Sequence, residues 1–268
     1  MEAGAVLRHG ATGSGAETAR PQVKRLLARG APLAAFLALW QWAAWVPISF
    51  NFPTPWQTVV ALAELLGSGA LLQASATSLQ SLVLGFGAAI LIGVPLGLLM
   101  GVVRGVGRVA RVYLDLLIAL PTAALIPLVI LSFGINVVSS AVIIFVFSAP
   151  FITMNAYGGV RDTRPRLVEM ARAFGASWGK LFTRIVLPSA LPMILAGLRL
   201  GLSRAFLGLI VAELLLSPFG LGKLIMNSRS MFEHDKMFAT VAWTLVLAGI
   251  ALAVLARLEA RLLRWRAA

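Results

Sequence analysis

Long apolar runs alternate with shorter polar segments along most of this chain. A helix crosses the hydrocarbon of a bilayer with roughly 17–25 mostly apolar residues, whereas the strands of a membrane barrel alternate apolar and polar positions. The pattern therefore predicts an all-α membrane protein with six transmembrane helices. The predicted spans cover residues 31–50, 78–103, 112–133, 137–157, 192–216 and 238–255.

The remaining residues predict how the chain is organised around these spans. The tail 1–30 is rich in Gly and Ala, which predicts disorder. Residues 31–268 then form one transmembrane domain with a polar loop over 158–191. Within the second span, small residues recur every four positions and predict close contact with another helix. These residues are Gly93, Gly97, Gly101 and Gly105.

Most Lys and Arg residues lie in four clusters, which set the predicted orientation. The clusters fall in the N-terminal tail, at 104–111, at 161–184 and at 257–266, whereas residues 51–80 contain neither Lys nor Arg. Because Lys and Arg favour cytoplasmic loops, both termini and the polar loop are predicted to face the cytoplasm. The net charge of +13 mostly reflects this orientation, since the basic residues form no single patch for nucleic acid.

Several classes of chemistry have no residues to carry them. The sequence contains no cysteine and therefore no thiol nucleophile or disulfide framework. It also lacks the Gly-x-x-x-x-Gly-Lys-Ser/Thr segment that binds ATP. The two histidines, His9 and His234, fall on opposite sides of the membrane in the predicted topology. An intramembrane enzyme would need a polar catalytic set within the spans, so the chain is predicted to be no enzyme and to hold no cofactor or metal.

The polar loop itself predicts two short helices. Thr163 can cap a helix that begins at Arg164, and Gly175 can end that helix. Ser177 can cap a second helix to about residue 186, where Pro188 marks its boundary. A channel or a structural scaffold would not need such a rigid cytoplasmic segment, which separates those two alternatives from a coupled transporter.

The loop also carries a spaced motif. Residues 169–188 read EMA, three residues, G, nine residues, and IVLP. This spacing resembles the EAA loop of permeases from ATP-binding-cassette (ABC) importers, from which it departs at Met170, where the family has Ala. The segments ALPTAALIPLVILSFGI and LPSALPMILAGLRLGLSRAFLGLIVAELLLSPFGLGKLI resemble the sulfonate, taurine and nitrate branch of that family.

The resemblance implies a type I importer fold in the bacterial plasma membrane and a set of partners. These are a cytoplasmic ATPase dimer that binds ATP, an extracytoplasmic solute-binding protein and a second permease copy. The family's coupling helix would correspond to residues 166–174, which would dock on the ATPase. The residues implied in coupling are Arg166, Glu169, Met170, Ala171, Arg172, Ala173, Gly175, Leu187 and Pro188.

The resemblance also suggests the cargo, a small anion such as an aliphatic sulfonate or taurine. Nitrate, bicarbonate and a heterocyclic vitamin precursor are alternatives within the family. Pro121, Arg204 and Glu213 are the candidate residues of the substrate pathway. Arg204 could help an anion through the membrane, although both charged residues could instead pair or extend towards the ends of their helix.

Overall fold

The computed structural model describes residues 19–46, 52–216 and 219–264, and every regular element within these ranges is helical. A 3₁₀ turn lies at Thr122–Leu125 and a π-helical turn at Phe182–Val186. The α-helices are α1 (Ala19–Trp45), α2 (Pro55–Gly67), α3 (Ala70–Val102), α4 (Arg104–Ala119), α5 (Ile126–Phe133), α6 (Val137–Arg161), α7 (Pro165–Ala173), α8 (Trp178–Leu181), α9 (Leu187–Leu216), α10 (Gly220–Ser230) and α11 (His234–Leu262).

The chain divides into two compact units, with the boundary between Gln57 and Thr58. In the first unit, residues 19–30 form the start of α1, where the sequence analysis expects a disordered tail. Good helix formers such as Lys24, Arg25 and Leu26 make this stretch continuous with the apolar run that follows. Residues 1–18, the rest of the predicted tail, lie outside the described ranges.

A capping box starts α2 in the first unit. The Thr54 Oγ1 accepts a hydrogen bond from the Gln57 N–H at 3.2 Å, and the Gln57 Oε1 accepts one from the Thr54 N–H at 2.8 Å. Pro55 occupies the first helical position, where its missing N–H is no loss. These contacts satisfy backbone groups that a helix N-terminus otherwise leaves to water.

Three long helices, α3, α6 and α9, form the centre of the second unit. One hydrophobic cluster joins all three through Leu82, Ile144 and Leu209. The predicted Gly contacts lie between α3 and α6: a methyl group added at Gly97 would stand 2.6 Å from the Ala156 Cβ. Gly93 and Gly101 also face α6, whereas Gly105 belongs to α4 and has open space around it.

The predicted third span, residues 112–133, is broken. α4 ends at Ala119, and the axis then turns by 94° before the 3₁₀ turn and α5. Pro121 causes the break, because proline donates no backbone hydrogen bond and pushes the residue before it out of the helical region. Leu120 is accordingly extended, with φ −68° and ψ 141°.

Four helices in the described part of the chain are long and apolar enough to cross a bilayer: α3, α6, α11 and the helix Trp178–Leu215. The broken pair α4–α5 makes a fifth crossing if it counts as one span. α1 is not among them, and the end of the predicted first span, residues 47–50, lies outside the described ranges. The sixth crossing therefore stays a prediction.

The fifth span begins well before the predicted residue 192. The chain is helical from Trp178 onward, and Pro188 lies inside this helix, so the expected boundary at Pro188 is wrong. The π turn before Pro188 explains how the helix continues. The Leu187 N–H bonds to the Phe182 carbonyl five residues back, which helps to rearrange the backbone bonds where Pro188 has no N–H to donate.

Candidate functional site

α7 is a short helix whose surface is almost entirely uncovered. It has nine residues, and none of them is buried. Its apolar side chains Leu167 and Met170 and the C-cap residue Phe174 follow helical spacing, and Phe174 is 86% exposed. Trp178, at the start of α8, is 60% exposed and lies 5.3 Å from the Arg172 guanidinium. α7 therefore presents an apolar stripe flanked by charges, which is typical of a surface that docks on another protein.

Gly175 ends α7 with a Schellman turn. Its φ of +74° lies in the left-handed region, and its N–H bonds to the Arg172 carbonyl at 2.9 Å. The Ala176 N–H reaches the Ala171 carbonyl at 3.0 Å. These two bonds define the motif. The predicted helix end at Gly175 is confirmed by this geometry.

The predicted start of α7 is different. Arg164, rather than Thr163, occupies the N-cap position, and Pro165 follows at the first helical position. The Thr163 hydroxyl instead donates back to the Gly159 carbonyl at 3.5 Å, so it belongs to the end of α6. The predicted cap at Thr163 is therefore wrong, because the helix begins one residue later than expected and Arg164 takes the cap position.

The nine residues implied in coupling fall into two places. Leu187 and Pro188 are half-buried at the start of α9, where Leu187 packs on a cluster that includes Ala156, Val186 and Ala190. The other seven lie on α7 and its closing turn, all exposed except the half-buried Ala171. They are Arg166, Glu169, Met170, Ala171, Arg172, Ala173 and Gly175.

A cavity of about 350 Å³ lies beside the bend between α4 and α5. Pro121 and Arg204 both line it, so the structure brings two of the three predicted pathway residues together. The Arg204 guanidinium carbon lies 4.6 Å from the centre of the Phe151 ring, which also lines the cavity. Among the described residues of the lining, Arg204 is the one charged side chain, and Thr122 supplies a hydroxyl.

Glu213, the third predicted pathway residue, does not line this cavity. It is 1% exposed, and its Oε2 accepts a hydrogen bond from the Gly222 N–H at 2.9 Å. The neighbouring Leu221 N–H donates to the Ser78 Oγ at 2.9 Å. Glu213 and Ser78 together satisfy the first N–H groups of α10 and fasten that helix to α9 and α3.

Sequence reasoning missed this anchoring arrangement. Ser78 and Leu221 are 143 residues apart, so no local pattern connects them. Gly220 and Gly222 were the available signal, because a methyl group at either position would collide with Glu213. No group of three metal-binding side chains occurs within the described ranges.

The described part of the chain is a helical bundle with several helices apolar enough to cross a membrane and one short exposed helix, which is the class of an all-α membrane protein. The sequence matches the family described as binding-protein-dependent transport system inner membrane component over residues 93–264. The chain belongs to this family, and it is a permease subunit of an ABC importer in the inner membrane.

Relatives with assigned names cover nearly the whole chain. It is 34% identical to the aliphatic sulfonates transport permease protein SsuC of Bacillus subtilis, over 87% of this chain and 85% of the relative. It is 29% identical to the taurine transport system permease protein TauC of Escherichia coli, over 87% of each. It is 33% identical to the riboflavin transport system permease protein RibX of Chloroflexus aurantiacus, over 90% of this chain and 91% of the relative.

Two solved structures have the same fold. An amino acid ABC transporter crystallised with histidines matches with a TM-score of 0.57 and 17% identity, over 76% of this chain and 97% of its own. The inward-facing MetNI methionine ABC transporter matches with a TM-score of 0.53 and 20% identity, over 75% of this chain and 97% of its own. At these identities the likeness concerns the fold alone.

Proposed function

We propose that this permease imports a small organic solute with a sulfonate group, an aliphatic sulfonate or taurine, and that a separate ATPase dimer supplies the energy. The proposed cargo rests on two relatives, SsuC and TauC, which match 87% of this chain and are named for the transport of aliphatic sulfonates and taurine. The chain itself catalyses no reaction in this proposal and binds no cofactor. A second copy of the permease completes the pathway, and a solute-binding protein delivers the anion from outside.

α7 is the proposed docking helix for the ATPase. Its apolar stripe of Leu167, Met170 and Phe174 gives a partner surface to bury, and Arg166, Glu169 and Arg172 can pair with charges around it. The Schellman turn at Gly175 fixes the direction in which the chain leaves this helix. The helix that follows, Trp178–Leu215, has 38 residues and continues through the π turn at Phe182–Val186. A displacement of α7 would therefore reach the core of the bundle through Leu187 and Pro188.

The energetics favour an ATP-driven importer for an alkanesulfonate, which carries one negative charge. Moving one negative charge inward against an inside-negative membrane potential costs about 2.3 kcal/mol per 100 mV. A concentration gradient adds to that cost. Passive permeation would therefore not accumulate an anion, whereas ATP hydrolysis by a partner subunit could.

The proposed orientation places α7 and both termini in the cytoplasm of a bacterial cell. It is supported by the basic clusters at 104–111, 161–184 and 257–266 and by the absence of Lys and Arg from 51–80. The same orientation would place α10 on the outer face, where a solute-binding protein arrives.

A vitamin-related heterocycle is the second candidate cargo, because the relative RibX, named for riboflavin transport, is 33% identical over 90% of the chain. Nitrate and bicarbonate are the remaining inorganic alternatives. They share the negative charge of a sulfonate but have no alkyl group for an apolar wall to contact.

Labelled uptake in a strain that lacks this gene tests the proposal. Ethanesulfonate, taurine, nitrate, bicarbonate and riboflavin are each offered, and the intact gene is expected to restore uptake of the sulfonates. If the gene restores uptake of another compound alone, the chain is still a permease but the proposed cargo is wrong. Uptake that persists when the partner ATPase is inactivated would contradict the coupled importer and favour a channel.

A further inference from the structure

Arg204 stands at a depth where a charged side chain is costly. It precedes the last residue of α9, Leu216, by twelve residues, which corresponds to about 18 Å along the helix. With Leu216 at the outer membrane surface, as the proposed orientation has it, and a hydrocarbon core about 30 Å thick, a guanidinium at that depth lies within the membrane. Charged groups in this position usually face protein or a water-filled cavity and take part in function.

Arg204 also lacks the carboxylate partner that nearby charges have. Arg199, one turn earlier, forms an ion pair with Glu259 on α11, and Arg111 pairs with Asp115. Arg204 belongs to none of the ion pairs in the described part of the chain, and its guanidinium instead lies against the Phe151 ring. Contact with the ring face holds the group in place and leaves its N–H edge available to an anion.

The cavity around Arg204 suits a small molecule with one negative end. Its volume of about 350 Å³ is near the lower end of the usual range for ligand pockets. Leu207, Val146 and Pro150 supply apolar walls, and neither Asp nor Glu occurs among the lining residues that the structure describes. A short alkyl group can contact such walls, whereas a positively charged group would find no carboxylate there.

We infer that this cavity is a transit site for simple alkanesulfonates, with Arg204 bonded to the sulfonate and Phe151 positioning the guanidinium. Taurine fits the site less well, because its ammonium group would lose water without gaining a charged partner. This inference rests on the proposed function and adds to it both a residue-level site and an order of preference between the two favoured cargoes.

The absence of cysteine makes a direct test possible. Ala123 lines the cavity, so Ala123→Cys places a single thiol there. The thiol is labelled with the anionic 2-sulfonatoethyl methanethiosulfonate and with its cationic trimethylammonium analogue. The full chain is used in membrane vesicles that contain the whole importer. Rates are divided by those of a Ser68→Cys protein, whose thiol lies in the segment without Lys or Arg.

We expect the anionic reagent to react faster at Ala123→Cys, relative to the Ser68→Cys reference. Adding Arg204→Gln should lower the anion-to-cation rate ratio by roughly tenfold, as expected for one unit charge within several ångströms in a partly shielded site. Arg204→Lys should keep most of the ratio, since it keeps the charge. The matched control is Arg257→Gln on α11, which removes an exposed positive charge away from the cavity and should leave the ratio unchanged. Ethanesulfonate should protect the thiol at lower concentration than taurine.

Three results would overturn the site. They are an unchanged ratio in Arg204→Gln, an equal loss in Arg257→Gln, and protection by taurine as strong as that by ethanesulfonate. Unaltered Ser68→Cys labelling in each variant shows that the fold is intact. The uptake assay separates the two proposals: normal sulfonate uptake without Arg204-dependent labelling rejects this site alone. Absence of sulfonate uptake by the natural protein rejects the proposed function, and this inference with it.

Discussion

The left-handed conformation at Gly175 gives a prediction in which two nearly identical substitutions should behave differently. Gly175 has φ +74° and open space around its Cα, and Gly179 also has open space but an ordinary helical φ. Gly175→Ala therefore meets backbone strain and no collision. Gly179→Ala meets neither and gains helix propensity.

The size of the effect follows from the conformation. A non-glycine residue in the left-handed helical region costs about 1–2 kcal/mol. If α7 docks on the ATPase only while this turn is intact, that cost appears in the docking equilibrium. Since about 1.4 kcal/mol corresponds to tenfold in affinity, we expect Gly175→Ala to weaken ATPase binding by roughly five- to thirtyfold. Gly179→Ala should bind the ATPase as the natural protein does.

The assay is titration of the purified ATPase subunit into the permease in nanodiscs, paired with uptake in vesicles. Gly175→Asn should fall between Ala and Gly, because Asn tolerates the left-handed region better than Ala. Gly175→Pro, which cannot reach φ +74° and removes the bond to the Arg172 carbonyl, should abolish docking. Equal affinity for Gly175→Ala and Gly179→Ala would refute the reasoning, since space around the two residues does not differ.

Three further predictions concern stability. Gly97→Leu should destabilise the fold by at least about 2 kcal/mol because its side chain enters α6, whereas Gly87→Leu on the same helix has open space and should be nearly neutral; thermal unfolding compares them. Glu213→Ala should cost about 1–3 kcal/mol by leaving the Gly222 N–H unpaired, and Glu213→Gln should restore most of it; hydrogen exchange at α10 reports the difference. Phe232→Gly should raise the free energy of unfolding by roughly 1 kcal/mol, because Phe232 ends α10 with φ +58°, a conformation that glycine adopts without strain. An unchanged melting temperature would contradict this.

The sequence predicted local structure correctly where a single residue type has one strong conformational preference. Gly175 after an amphipathic segment predicted a helix end, and the left-handed turn confirms it. The regular spacing of Gly93, Gly97 and Gly101 predicted a close helix contact, and α6 provides it. The all-helical fold followed from long apolar runs, because a bilayer leaves few other ways to satisfy the backbone.

The misplaced boundaries have a common cause in proline. Hydropathy continues smoothly through Pro121, so the sharp bend there was invisible to a method that counts apolar residues. Pro188 had the opposite effect: it suggested a helix boundary, but the helix continues past it because of the π turn before it. Whether a proline breaks, bends or merely rearranges a helix depends on the carbonyl groups around it and on tertiary packing.

The site residues were predictable in type but not in grouping. Arg204 and Pro121 are 83 positions apart in the sequence, and only the bend brings both to one cavity. Glu213 was equally conspicuous as an intramembrane charge, yet its partners are the backbone of α10 and the neighbouring Ser78 contact. A charge with a nearby backbone donor can serve as an anchor, and sequence alone does not reveal that donor.

The helix from Trp178 to Leu215, which continues through a π turn, has a consequence for the length of the chain. Each residue in an α-helix advances the azimuth by about 100° and the position by about 1.5 Å. One residue inserted or deleted in the helix between Trp178 and Pro188 would rotate every later side chain against the direction of α7, and Arg204 would turn out of its cavity. The nine residues between G and IVLP in the motif thus fix the direction in which the side chains of the interior point, relative to α7.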